Sequence, residues 1–171
     1  LATCVAVGWN INGYLNMDHP LQVAYLNELE TLSGEKVSNK TFDGCGAPLF
    51  ALSSLGLARA IQAITLSSDP VHKEVLEACT AHPEMMTGEE RKEVKLMRQV
   101  PGIFMKDGAE GVEVLSLKDG RTLVIKIADG STRAISAIVA AQLNEWGIKV
   151  EIEPIKVMGG ANVVGEMAAT I

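Results

Sequence analysis

The sequence predicts an α+β fold, with a mainly helical region in residues 1–100 and antiparallel strands plus a flanking helix in residues 101–171. Apolar residues recur at helical spacing in the first region and alternate with polar residues in the second. Helices followed by strands are typical of α+β folds and not of alternating β/α folds. Hydrophobic residues form 47% of the chain and charged residues 21%, which predicts a packed core.

The helical region shows start and stop signals for several helices. Residues 1–7 resemble the tail of a helix, and Asp18 or His19 is expected to cap the next one, with Pro20 in its first turn and Gly34 at its end. The further predicted helices are residues 49–66, a helix from Asp69-Pro70 to Ala81, and one that follows a capping box at residues 87–90 and ends near Gln99.

The second region is predicted to form a meander of three strands, at residues 103–106, 111–117 and 122–128. Asp119-Gly120 between the last two strands is a strong hairpin signal. Residues 129–131 should end the strands and cap a helix that stops at Gly147. Residues 162–168 are expected to form an edge strand or a closing strand of the sheet.

Charge and composition exclude several classes of function. A net charge of −6 without a Lys/Arg cluster argues against binding to nucleic acid or to an anionic membrane. No apolar run reaches the ~18 residues of a membrane span. Three cysteines do not form a disulfide framework, and they favour a reducing compartment. We therefore expect a cytoplasmic protein.

The stretch TFDGCGAPLF, residues 41–50, is a candidate site because it holds a thiol on a constrained turn. Cys45 lies between Gly44 and Gly46 and follows Asp43. Glycines allow left-handed backbone angles and close approach to a ligand. The alternative is a tight loop in which the cysteine is a small core residue.

Lys106, in the stretch PGIFMKDGAEGV, is a second candidate. A lysine on a strand before a glycine can be half-buried in a cleft, where desolvation or a nearby cation prepares it to act as a base. The alternative is a solvated lysine at a turn. The three histidines have no metal-ligand spacing. The only Ser-x-x-Lys match, Ser33 with Lys36, lies at a helix end and is interpreted as coincidence.

Five motifs together resemble the bacterial L-asparaginase II family, which includes the inducible rhizobial type. They occur in the order of that family and cover roughly residues 1–140: MDHPLQ (17–22), FDGCGAPLFALSSLGLARA (42–60), AHPEMMTG (81–88), LMRQVPG (96–102) and MKDGAEGV (105–112).

The resemblance implies hydrolysis of L-asparagine to L-aspartate and ammonia, on a serine β-lactamase-like fold that uses serine-lysine pairs. It implies that Lys106 is a catalytic lysine and that Cys45 is a zinc ligand, alongside a second cysteine and a lysine. Asp43, with Gly44 and Gly46, would lie at the substrate. The alternatives are another β-lactamase-like serine amidase, such as a glutaminase, and a non-catalytic binding or assembly module.

The resemblance also predicts that these 171 residues are the C-terminal portion of a longer polypeptide. The serine nucleophile and the other zinc ligands of the family belong to segments upstream of Leu1, so the fold and the site are expected to be incomplete without the N-terminal half. The fragment alone is expected to be inactive. Apolar surface left uncovered would favour a homo-oligomer such as a dimer.

Overall fold

The computed structural model describes residues 1–170 and confirms an α+β fold. Seven helices and seven strands are present in this range, and every strand pair is antiparallel. The chain divides into two compact units, Leu1–Ile64 and Thr65–Ile171. The β-lactamase-like arrangement and the organisation as a single C-terminal portion remain predictions.

The first unit begins with two helices, α1 (Ala2–Ala6) and α2 (Pro20–Ser33). His19 caps α2, because its Nδ1 accepts a hydrogen bond from the Leu21 N–H at 3.1 Å. Pro20 follows at the first helical position, where its missing N–H costs nothing. Gly34 ends the helix with φ of 67°. Both predicted ends of α2 are confirmed.

A two-stranded hairpin follows, and it corrects the predicted helix 49–66. Strand β1 (Asn39–Phe42) pairs with β2 (Pro48–Ala51), and helix α3 (Ser54–Leu66) begins only after them. Ser53 sets that beginning, because its Oγ accepts from the Gly56 N–H at 2.9 Å. The apolar residues before Ser53 form a strand because they pair with β1. Their spacing in the sequence gives no sign of this partner.

The second unit contains three helices before its sheet, namely α4 (Pro70–Ala81), α5 (Pro83–Thr87) and α6 (Lys92–Gln99). The predicted capping box at residues 87–90 is wrong. Thr87 is the last residue of α5, and Gly88, with φ of 99°, ends that helix. Arg91 precedes α6 without a side-chain cap.

The predicted α4 is confirmed, and its N-cap supports a first testable prediction. Asp69 Oδ1 accepts from the Val71 N–H at 2.8 Å. Asp69→Ala should lower the free energy of unfolding by about 1 kcal/mol, since an orphan N–H loses its partner. Urea denaturation measures the change, and Ser68→Ala, one residue earlier, is the matched control. Equal losses in the two variants would contradict the capping role.

The three-stranded meander is confirmed. Strands β3 (Phe104–Gly108), β4 (Val112–Ser116) and β5 (Thr122–Lys126) pair in sequence order. Gly120 closes the turn between β4 and β5 with φ of 89°, and its N–H donates to the Leu117 carbonyl at 2.9 Å.

Helix α7 (Ile135–Glu145) supplies side chains to the core of this unit. Asp129 does not cap it, contrary to the prediction, because its Oδ1 accepts from the Ser131 N–H at 2.9 Å within a separate turn. The buried core consists of residues from α6, from α7, and from the three strands and the positions next to their ends: Leu96, Met97, Ile103, Met105, Leu115, Leu117, Ile125, Ile135, Val139 and Leu143.

The predicted strand 162–168 exists as β7 (Asn162–Met167), but within residues 1–170 it does not close the larger sheet. It pairs with β6 (Ile155–Gly159), a strand that the sequence reading missed, in a separate two-stranded sheet. None of the described helices has the length and apolar character needed to cross a membrane.

Candidate active site

The glycine-cysteine stretch forms the turn between β1 and β2. The Asp43 N–H donates to the Ala47 carbonyl and the Gly46 N–H donates to the Asp43 carbonyl, both at 2.8 Å. Gly46 has φ of 82°, in the region where glycine is favoured. A Cβ at Gly44 or Gly46 would meet no atom within 4 Å, so the turn borders open space.

Cys45 is exposed at the tip of this turn, and its side chain lies next to that of Asp43. The Cys45 thiol donates to Asp43 Oδ2 at 3.5 Å. Asp43 Oδ1 accepts from the Gly44 N–H at 2.7 Å. The core-filler alternative is therefore wrong for Cys45. The turn presents a thiol, a carboxylate and backbone groups on one accessible surface.

The described residues do not complete a zinc site around Cys45. No three His, Cys, Asp or Glu side chains within residues 1–170 converge in a way that could hold a metal ion. A structural zinc site needs four ligands and a catalytic one needs three plus water. The Cys45 thiolate is a suitable donor, but Cys45 and Asp43 together supply too few ligands.

Lys106 lies on β3 in the second unit, two residues before the strand ends. Its side chain is 42% exposed, which places it between the buried and the solvated alternatives. The Nζ donates to Asp107 Oδ1 at 2.6 Å and to the Asp107 carbonyl at 2.8 Å. Lys106 therefore does not extend freely into solvent but curls back onto the next residue.

Asp107 connects Lys106 to the beginning of α6. Its Oδ2 accepts from Arg91 Nη2 at 2.7 Å, so each carboxylate oxygen contacts a cation. The hydrogen bond from Lys106, together with the positive charges of Lys106 and Arg91, lowers the pKa of Asp107 below its ordinary value. Asp107 is thus held as a carboxylate.

Two buried glutamates lie next to this cluster, and sequence reasoning missed both. Glu93 on α6 is fully buried, and Glu113 on β4 is 1% exposed. Among residues 1–170, none of their carboxylate oxygens has a hydrogen-bond partner, although Arg91 Nε and Lys92 Nζ lie 3.5 Å and 3.7 Å from the Glu93 oxygens. Burial first, and the charge of Glu93 second, raise the pKa of Glu113 to about 8. The alternation in GVEVLSL, which puts Glu113 on the face of buried Leu115, could have indicated its position.

A cavity of about 340 Å³ lies against these carboxylates. Its lining combines charged groups of both signs with the hydroxyls of Thr132 and Ser136; the charged residues are Glu90, Arg91, Lys92, Glu93, Asp107, Glu113 and Arg133.

The structure does not bring the predicted site residues together in one unit. Asp43, Gly44, Cys45 and Gly46 belong to the unit Leu1–Ile64, and Lys106 belongs to Thr65–Ile171. Their common site therefore remains a prediction.

The Ser-x-x-Lys match of Ser33 and Lys36 forms no pair. Ser33 Oγ contacts the Glu30 and Glu35 carbonyls, whereas Lys36 pairs with the Glu30 carboxylate.

Comparison with known proteins gives one match that covers nearly the whole chain. The family model described as L-asparaginase II matches residues 1–168. This range contains both the Cys45 turn and Lys106. No curated protein was found to match the chain.

Proposed function

The chain belongs to the L-asparaginase II family, and on this basis we propose that it is part of an amidohydrolase that converts L-asparagine to L-aspartate and ammonia. The observation that carries the proposal is the family match over residues 1–168. Lys106 also supports the proposal. The resemblance assigns this lysine to catalysis, and hydrogen bonds to Asp107 hold its half-buried side chain in a defined position.

The proposed reaction passes through a covalent acyl-enzyme. A serine Oγ attacks the side-chain amide carbon of L-asparagine while its proton passes to the base paired with it, and the C–N bond then breaks as the nitrogen takes a proton and leaves as ammonia. Water hydrolyses the resulting ester, which releases L-aspartate and the serine. Lys106 acts in proton transfer. None of the hydrogen bonds within residues 1–170 joins a serine hydroxyl to Lys106, whose Nζ contacts Asp107. On the family resemblance, the proposal assigns the nucleophile to an N-terminal half outside these residues.

Substrate binding is assigned to the turn at Asp43. Its carboxylate is exposed and can pair with the α-ammonium group of L-asparagine, while Gly44 and Gly46 leave space for the substrate to approach the backbone. A homo-oligomer in the cytoplasm completes the proposal. The oligomer is supported by exposed apolar side chains, such as Val5 at 71% and Met85 at 83% exposure.

Zinc enters the proposal only through Cys45. Cys45→Ser in the full-length protein should reduce the bound zinc to a small fraction of the wild-type content, because a hydroxyl is a much poorer zinc ligand than a thiolate. The melting temperature should change little, since Cys45 is exposed. Elemental analysis after dialysis measures the zinc, with Cys79→Ser as the control thiol. Unchanged zinc in Cys45→Ser would remove zinc from the proposal.

Ammonia release from L-asparagine tests the proposed function directly. The full-length protein should hydrolyse L-asparagine, and L-glutamine should be a poorer substrate, although one methylene is worth only about 1–3 kcal/mol of discrimination. Faster release from L-glutamine, or hydrolysis of a chromogenic β-lactam without any from L-asparagine, would favour another serine amidase. Binding of L-asparagine without turnover would favour the non-catalytic module.

A further inference from the structure

The contact between Lys106 and Asp107 is unusual for neighbours on a strand. Successive side chains of β3 point to opposite faces, so Lys106 and Asp107 start in opposite directions. Lys106 lies opposite Val114, and Asp107 lies opposite Glu113. Even so, the lysine chain folds around the strand and brings its Nζ to 2.6 Å from Asp107 Oδ1. The position of the amine is thus set by the carboxylate that follows it.

Asp107 is in turn fixed from outside the sheet. Arg91, directly before α6, donates from Nη2 to Asp107 Oδ2 at 2.7 Å. The same guanidinium has its Nε 3.5 Å from Oε2 of the fully buried Glu93. Arg91 is therefore held between Asp107 and a carboxylate that cannot move into solvent, and the orientation of Asp107 is coupled to helix α6.

The contact also has a consequence for the direction of proton transfer. A lysine could take a proton from the serine hydroxyl or give one to the departing nitrogen. A carboxylate at hydrogen-bond distance stabilises the ammonium form, which has protons to give. The observed pair therefore fits a lysine that enters the step as a donor.

We propose that Asp107 is a positioning residue that holds the Lys106 ammonium ready to protonate the leaving nitrogen, and that Arg91 keeps Asp107 in place. The inference rests on the proposed amidohydrolase function. As the C–N bond breaks, its electron pair stays on nitrogen, and that nitrogen takes one proton from Nζ. Ammonia leaves, and Lys106 becomes a neutral amine that regains its proton from the water that attacks the ester. The proton of the serine hydroxyl passes to the base paired with that serine during the first attack and returns to the serine oxygen when the ester bond breaks.

Other charged groups also surround Asp107 and belong to the field that it experiences. Arg91 approaches from directly before α6, Lys92 and Glu93 from the start of α6, Glu113 from β4, and Arg133 from the segment before α7. Both carboxylate oxygens of Asp107 are acceptors, Oδ1 from Lys106 Nζ and Oδ2 from Arg91 Nη2. Replacing Asp107 by asparagine removes the negative charge and keeps the size of the side chain.

The test compares Asp107→Asn with Asp119→Asn in the full-length protein. Asp119 also pairs with an arginine, at 2.7 Å from Arg121, but it lies in the β4–β5 turn at the other end of the strands. We expect Asp107→Asn to lower kcat for L-asparagine about tenfold to a hundredfold with a much smaller change in KM. The alkaline limb of the pH–kcat profile should move to lower pH. Asp119→Asn should keep both the rate and the profile, and Arg91→Lys should retain more activity than Arg91→Met.

A second measurement separates this inference from the proposed function. Nitrogen-15 NMR of the lysine ammonium groups reports how fast the Lys106 Nζ protons exchange with water, whether or not the protein turns over asparagine. Slow exchange in the wild type that becomes fast in Asp107→Asn supports positioning by Asp107. Equal exchange rates, or an alkaline limb that stays in place in an active Asp107→Asn variant, would overturn it. Absence of ammonia release in the wild type would instead reject the proposed function and leave the NMR result to decide the positioning.

Discussion

Lys106→Met should lower kcat for L-asparagine by about a hundredfold to ten-thousandfold, because proton transfer by a positioned side chain contributes a factor of that size. Methionine replaces the unbranched aliphatic part of the side chain and removes the amine with every donor. The fold should persist, since the Lys106 side chain is 42% exposed and Asp107 retains its hydrogen bond from Arg91. Ammonia release at saturating substrate gives kcat, and a thermal melt followed by circular dichroism verifies folding.

Lys73→Met is the matched control for this variant. Lys73 is an exposed lysine on α4, so the same loss of charge and gain of apolar surface occur away from Lys106. It should retain wild-type kcat. If Lys106→Met also kept a near-normal kcat, Lys106 would have no part in proton transfer, and the Asp107 positioning would lose its purpose at the same time.

Local signals predicted the helix ends and the sheet hairpin well. His19 before Pro20 and Asp69 before Pro70 both cap helices, because a side-chain acceptor two residues before an orphan N–H needs no distant partner. Asp119-Gly120 likewise forms its turn from local backbone angles. Features of this kind depend on a few consecutive residues and can be read from them.

Pairings between distant segments could not be predicted in the same way. Residues 48–51 form β2 because β1 lies beside them, although their apolar character also suits a helix. Arg91 forms a hydrogen bond with Asp107, which lies 16 residues later in the sequence. Glu93 lies close to Glu113 because α6 packs near β4. The resemblance around Lys106 implies a catalytic lysine, whereas the contact of its neighbour Asp107 with Arg91 depends on tertiary packing.

The buried glutamate pair should make the protein lose stability as the pH rises. In the folded protein, burial and the charge of Glu93 raise the pKa of Glu113 from 4.5 to about 8. The unfolded chain releases that proton near its ordinary pKa, so between these values the folded state binds more protons. Stability then falls with increasing pH across that window, and the decline ends above the folded pKa. Between pH 6 and pH 9 the loss from this group should be about 3 kcal/mol.

Glu113→Gln should remove most of this decline. The amide fills the same space and carries no charge at either pH. No group at this position then titrates between pH 6 and pH 9, so its contribution to the decline disappears. Urea denaturation at pH 6 and pH 9 gives the difference in the free energy of unfolding for each protein. Glu74→Gln, an exposed site on α4, should keep the wild-type difference.

Comparing the difference in the free energy of unfolding between pH 6 and pH 9 across these variants separates the effect of Glu113 from that of other titrating groups. Asp107 has a lowered pKa, so its contribution is present at neutral pH and is lost only on acidification, outside the window of pH 6 to 9. The positive charge of Lys92 opposes the shift at Glu113, whereas Asp107 adds to it. Glu93→Gln should therefore also flatten the decline, because it removes the nearest like charge. A wild-type pH difference that survives unchanged in Glu113→Gln would mean that Glu113 does not change its protonation state between pH 6 and pH 9 and would contradict its raised pKa.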